Sequence, residues 1–202
     1  MERDRFEPAG PVEGVRAQLR TIVLERGYER REEPFRLSSG GLSHDYVDLR
    51  RATSRGADLA VAALSVSEAL DEAGIGFDAI GGMTMGADPV AHGVAMVTGT
   101  SWFSVRKAEK SHGTGRRIEG AELKEGVRAV VFEDTVSTGR SLLEALEVVS
   151  ETPARVVAVC TILDRGNLLA GQLRAAGFSG PFVRVLTYED LGIEPILPAQ
   201  PV

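Results

Sequence analysis

The sequence predicts an α/β protein built on a central, mostly parallel sheet with helices on both faces. Short apolar runs alternate with helix-period segments between residues 78 and 186, and strands interleaved with helices pair in parallel because each pair needs a crossover. The runs Ala129-Val-Val-Phe132 and Val156-Val-Ala-Val-Cys-Thr-Ile-Leu163 are apolar at nearly every position, as strands covered on both faces require. Of 202 residues, 43% are hydrophobic and 26% charged, the composition of an ordinary soluble globular protein whose length suits one domain with a small appendage.

Taken in order, residues 1–10 are polar and read as a loose tail. Pro11 suits the first turn of a helix whose Val12, Val15, Leu19 and Ile22 fall at helical spacing, with Gly27 as its stop. Phe35-Arg-Leu37 and Asp45-Tyr-Val-Asp-Leu49 read as short strands around the polar turn Ser38–Ser43. A long helix is expected from Thr53 or Ser54 to Ala73, with Leu59, Ala63, Val66 and Leu70 inward and Gly74 closing it. Asp78-Ala-Ile80 is a brief strand, followed by the glycine-rich turn Gly81-Gly-Met-Thr-Met-Gly86. Asp88 before Pro89 predicts an N-cap and a helix through Val97, after which Trp102-Phe-Ser-Val105 returns as a strand. Residues 107–126 are charged and lack an apolar period, and 129–132, 141–149, 156–163, 167–176 and 182–186 continue the strand–helix alternation. The expected organisation is a tail (1–10), an N-terminal helix with two strands (11–52) and a core (53–202).

A net charge of −6 argues against a general nucleic-acid-binding surface. The single cysteine, Cys160, lies in an apolar strand and reads as a small core residue. No uncharged stretch reaches the roughly 18 residues of a membrane span, and Met-Glu-Arg-Asp-Arg at the start lacks a secretion signal's apolar region. A cytoplasmic protein is expected. No His, Cys, Asp and Glu cluster has metal-ligand spacing.

Chemistry concentrates in Ala129-Val-Val-Phe-Glu-Asp-Thr-Val-Ser-Thr-Gly-Arg-Ser141. Glu133 and Asp134 follow a buried strand, and a hydroxyl- and glycine-bearing turn leads into a helix. Ligands of open α/β sheets bind beyond the carboxyl ends of strands, where turn amides and a helix N-terminus cradle phosphate. Adjacent carboxylates repel that anion and must face hydroxyls or a cation. A phosphate cradle beside a diol-binding acid pair describes a ribose 5-phosphate site.

This stretch resembles the signature of type I phosphoribosyltransferases, which bind 5-phospho-α-D-ribosyl 1-diphosphate (PRPP). Further segments resemble one family among them, the orotate phosphoribosyltransferases: Phe35-Arg-Leu-Ser-Ser-Gly with Ser43-x-x-Tyr46-Val-Asp-Leu-Arg50, Gly81-Gly-Met-Thr-Met-Gly-Ala-Asp-Pro89, Arg106-Lys-x-x-Lys110-x-His112-Gly followed by Ile118-Glu-Gly120, and Leu163-Asp-Arg165. The resemblance spans roughly residues 33–166. It implies the type I phosphoribosyltransferase fold, with a small N-terminal hood and a flexible catalytic loop.

By position, the resemblance assigns Arg106, Lys107, Lys110 and His112 to the diphosphate of PRPP, with Lys110, Glu133 and Asp134 as the catalytic group. Glu133, Asp134, Thr135, Val136, Ser137, Thr138, Gly139, Arg140 and Ser141 would hold ribose 5-phosphate. Ser137 and Arg165 would contact orotate, with Tyr46 nearby. Mg²⁺ carried mainly by PRPP, pyrophosphate and water is implied, as is a homodimer whose loop lysine reaches the neighbouring site. Two positions depart from the family: Ser38 stands where many members carry lysine, and Arg140 where a small residue is common. Alternatives on the same fold are transfer to another base and a PRPP-sensing regulator that binds nucleic acid.

Overall fold

The computed structural model describes residues 14–36, 42–108, 117–166 and 168–195. It begins with α1 (Gly14–Ile22), which runs on into a π-helical turn, Val23–Gly27. The hairpin β1 (Tyr28–Arg36) and β2 (Leu42–Val47) forms a separate two-stranded antiparallel sheet. The short α2 (Leu49–Ala52) and long α3 (Gly56–Glu72) lead into β3 (Ala79–Met83), α4 (Asp88–Thr98), β4 (Ser101–Val105) and β5 (Ile118–Gly120). Then come β6 (Arg128–Val136), α5 (Arg140–Ser150), β7 (Arg155–Asp164), α6 (Leu169–Ala175) and β8 (Phe182–Thr187).

The six-stranded sheet has the order β5-β4-β3-β6-β7-β8, parallel except for the edge strand β5. Alternate residues of β6 serve two cores. Val130 and Phe132 pack with Ile80, Cys160, Ile162 and the inner faces of α1, α3 and α4. Ala129 and Val131 pack with Phe103, Val159 and the inner faces of α5 and α6. All are buried, so the period-two alternation of a strand places apolar groups on both faces at once, as the consecutive apolar runs predicted. Cys160 is fully buried and desolvation pushes its thiol up to about 12; it is a core residue without thiolate chemistry.

Several expected boundaries move. Gly81 and Gly82 belong to β3 rather than to a turn, because their backbones approach the carbonyls of Phe103 and Phe132 too closely for any side chain. Asp88 is the first helical residue of α4 and not its cap; its carboxylate takes Thr84 Oγ1 at 2.6 Å and Ser104 Oγ at 2.7 Å instead. The strand expected over Asp45–Leu49 ends at Val47, since Asp48 caps α2 by accepting the Arg51 N–H at 3.1 Å. His44 is on β2 with Nδ1 2.9 Å from the Arg31 carbonyl. β5 arises within the charged segment 107–126, which showed no strand pattern. The tail at 1–10, Ser38 and the loop residues Lys110 and His112 lie outside the described residues.

Candidate active site

The sheet order makes β3 and β6 neighbours whose crossovers leave in opposite directions, α4 toward β4 and α5 toward β7. That is the switch point at which open α/β sheets leave a crevice. β6 stays paired with β7 as far as Val136, whereas its register with β3 ends at Gly81↔Val131. The parting strands open a cavity of about 620 Å³, lined by Tyr46–Arg50, Gly86, Glu133–Leu142 and Arg165.

Glu133 and Asp134 lie on β6 itself, inside the strand rather than beyond its end. The Thr84–Ala87 turn leans against them: a Cβ on Gly86 would stand 2.9 Å from Glu133 Oε1 and 3.0 Å from Asp134 Oδ1. Glu133 is only 8% exposed, and its Oε2 is buried with no hydrogen-bond partner among the described residues. Desolvation, and then the charge of Asp134, pushes its carboxyl up to about 8. Asp134 is also raised by burial, against the Thr135 N–H that it accepts at 2.7 Å. In the free protein this pair therefore holds a proton near neutrality, and the orphaned oxygen suits a hydroxyl donor or a cation.

Ser137, Thr138 and Gly139 carry the chain from the end of β6 to α5, whose first intrahelical bond runs from Leu143 N–H to Gly139 C=O at 2.8 Å. The amides of Arg140, Ser141 and Leu142 precede that bond, so the helix presents free N–H groups and its positive end to the cavity. The left-handed residue here is Gly139, with φ +73°. Arg140 is exposed and takes an ordinary helical conformation, so its departure from the family pattern carries no backbone strain. Gly139→Ala is expected to cost about 1–2 kcal/mol through left-handed strain, and its new Cβ would meet Leu169 Cδ1 at 2.6 Å. The checks are a lowered denaturation midpoint and weaker binding of ribose 5-phosphate; an unchanged midpoint would show that the turn relaxes freely.

The opposing elements come from the hairpin and from the turn after β7. Arg165 N–H donates to Val136 C=O at 2.9 Å, and Arg165 Nη2 donates to the Val47 carbonyl of β2. Its guanidinium lies 5.9 Å from the Tyr188 ring centre. Buried Asp164 fixes that turn by accepting the Gly166 N–H at 3.2 Å, with Arg184 Nη1 3.5 Å away. Arg165 thus joins hairpin, β6 and β7 at the cavity wall, together with Tyr46 and Ser137. Arg106 and Lys107 follow β4 outside the cavity lining. Arg106 Nη1 lies 3.6 Å from Glu119, while the charge of Lys107 reaches Glu133. Arg117 ties this root down, donating to the Arg106 carbonyl at 3.0 Å and to Glu144 on α5 at 2.6 Å.

Two contributors had no functional role assigned from the sequence. Arg50 was visible only inside a family-like string, and its charge reaches Asp134. Asp88 holds the Thr84 turn against β4 through contacts that no local pattern encodes. No group of three His, Cys, Asp or Glu among the described residues could hold a metal ion.

An acid pair and the free amides of a helix N-terminus meet in one crevice at the switch point of a parallel sheet, where open α/β proteins bind their ligands. No family model matches the chain. It is 44% identical over 165 residues to the orotate phosphoribosyltransferase of Streptomyces coelicolor, covering 78% of this chain and 87% of that one. It superposes on the crystal structure of Mycobacterium tuberculosis H37Rv orotate phosphoribosyltransferase in complex with Fe(III) dicitrate with TM-score 0.75 at 37% identity, covering 89% of this chain and 99% of that one. The complex of the M. tuberculosis enzyme with PRPP gives TM-score 0.71 at 35% identity, with the same coverage. The fold is that of the type I phosphoribosyltransferases, and the chain belongs to the orotate phosphoribosyltransferase family.

Proposed function

We propose that this protein transfers the 5-phosphoribosyl group of PRPP to orotate, giving orotidine 5′-monophosphate (OMP) and pyrophosphate. The observation that carries this reading is the meeting of Glu133, Asp134, the amides before Leu143 and Arg165 around one cavity. The amides of the loop and of α5 suit the 5′-phosphate. Glu133 and Asp134 accept the ribose hydroxyls and, once ionised, lie beside the positive charge that develops on the sugar as the bond to pyrophosphate breaks and the orotate nitrogen bonds to the same carbon. Arg106, Lys107, Lys110 and His112 neutralise the leaving diphosphate, a type of electrostatic contribution typically worth about 3–4 kcal/mol per group. Ser137 offers a hydroxyl to the base, and Arg165 supplies a planar fork for its carboxylate or carbonyl oxygens.

The donors present also fit Mg²⁺. With oxygen-only donors and no three-ligand cage among the described residues, Glu133 and Asp134 would be the protein groups that hold such an ion, its other oxygens coming from substrate and water. Bound there, the ion adds charge neutralisation at the diphosphate. No protein nucleophile is needed, in keeping with the inert Cys160.

The same reading includes a homodimer. Its support is an apolar surface on α4 and β4, where Met96 is 84% and Trp102 40% exposed and Trp102 packs on His92 with ring centres 4.3 Å apart. The hairpin β1–β2 acts as the hood, and the cytoplasm is the expected location. No described helix is long and apolar enough to cross a membrane. Transfer to a different base is the competing reading, and the guanidiniums of Arg50 and Arg165 in the cavity lining favour an anionic one.

Pyrophosphate release from PRPP by the purified protein tests the proposal, with orotate, uracil, adenine, guanine and hypoxanthine as acceptors. Release with orotate alone is expected; release with a purine in its place would overturn it. Arg165→Ala should raise the KM for orotate more than the KM for PRPP. Equal increases in both would remove Arg165 from the base end.

A further inference from the structure

Arg50 lies on the first turn of α2, in the part of the cavity wall that the hood supplies. Its nearest carboxylate, Asp48, is engaged in capping α2, and Arg50 Nε comes only to 3.9 Å of it. The side chain is 59% exposed. A guanidinium has five N–H donors, and this one has no close acceptor among the contacts of the described residues. The other cation at this end, Arg165, donates one nitrogen to the Val47 carbonyl.

The charges around the acid pair divide the cavity into two ends. Glu133 feels Lys107 and Asp88, from the β3–β4 side. Asp134 feels Arg50 and Arg165, from the hood and the β7 turn. The 5′-phosphate has the amides of the loop and of α5, and a diphosphate would lie toward Lys107. The remaining end carries two guanidiniums, more positive charge than a neutral base requires.

We propose that Arg50 is a specificity-determining residue whose guanidinium binds the carboxylate of the base, the group that distinguishes orotate from uracil. A planar fork accepts a carboxylate with two parallel hydrogen bonds. Arg165 then serves the ring oxygens and the closure of hood on core, while Arg50 reads the anionic substituent. This assignment rests on the orotate reading and extends it to a residue that the family-like string ending at Arg50 left without a role.

Equilibrium binding of OMP and of uridine 5′-monophosphate (UMP) to the full chain tests it, since the two nucleotides differ only by that carboxylate. Wild type is expected to prefer OMP. Arg50→Gln should weaken OMP binding about tenfold or more while leaving UMP within about twofold, the loss expected for one charge-assisted hydrogen-bonded contact. Arg50→Lys should recover part of the preference, as a point charge without the fork. Equal losses for both nucleotides would assign Arg50 to the shared ribose phosphate, and no loss for either would remove it from the site; each result overturns the proposal. If wild type itself failed to prefer OMP, the orotate reading would fall and the Arg50 assignment with it. A preference intact in wild type and undiminished in Arg50→Gln sinks Arg50 alone. The side chain is largely exposed, so an unchanged thermal midpoint is expected for both variants.

Discussion

Glu133→Gln is expected to lose nearly all turnover while making the folded protein harder to unfold. Glu133 is 8% exposed and one of its oxygens has no partner among the described residues. Burial, then the neighbouring Asp134, pushes its carboxyl up to about 8 against the pull of Lys107, with Asp88 adding least. An unfolded glutamate ionises near pH 4.3. Between that value and about 8 the folded chain keeps a proton that the unfolded chain has released. The folded state binds more protons in this window, so stability falls as pH rises through it and the loss is complete above the folded value. Glutamine has nearly the same shape and no charge to desolvate. The variant's denaturation midpoint should match wild type near pH 4 and exceed it increasingly toward pH 8.5, by on the order of 1–3 kcal/mol. Equal midpoints at pH 8.5 would mean that Glu133 ionises without penalty.

The same substitution should lower kcat by about two to three orders of magnitude, the usual consequence of removing one preorganised electrostatic group. An amide still accepts a ribose hydroxyl, so the KM for PRPP should change less than kcat. Loss confined to KM would reduce Glu133 to a ligand-positioning group. A residue whose removal stabilises the fold and disables the reaction is one whose strain serves function.

What the sequence made legible follows from what is local. β6 and β7 announced themselves because both of their faces are buried, and Glu133 and Asp134 stood out as carboxylates interrupting such a run. β1 was largely missed: Tyr-Glu-Arg-Arg-Glu-Glu-Pro-Phe-Arg is nearly all polar because its two-stranded sheet stands apart from the six-stranded one, and its register slips between Arg30 and Phe35. β5 is three residues of an antiparallel edge, too short for any periodicity. Asp88 looked like a cap by its neighbour Pro89, yet its partner Ser104 is 16 positions away. Arg50 reaches the cavity only because the chain turns into α2 after Asp48, a boundary that the apolar pattern of residues 45–49 obscured.

Gly82→Ala should severely disrupt the crevice. Glycine pairs usually mark turns, and Gly81-Gly82 reads as one, but both lie mid-strand in β3. A Cβ on Gly82 would fall 1.8 Å from the Phe132 carbonyl oxygen and 3.1 Å from Ala87 Cβ. The first obstacle is backbone in the central strand β6, one residue before Glu133, and cannot swing aside as a side-chain tip would. Relief requires β3 and β6 to part at the point where their register ends, which displaces the acid pair. A loss above about 4 kcal/mol, the range reserved for severe core disruption, is expected, seen as a collapsed denaturation midpoint or as protein recovered only in the insoluble fraction. Gly171→Ala is the matched control: that glycine lies in α6 with nothing within 4 Å of the added carbon, and alanine there should stabilise by up to about 1 kcal/mol. Destabilisation of similar size in both would trace the effect to loss of glycine in general; a near-native Gly82→Ala protein would show that β3 and β6 stand farther apart than this architecture requires.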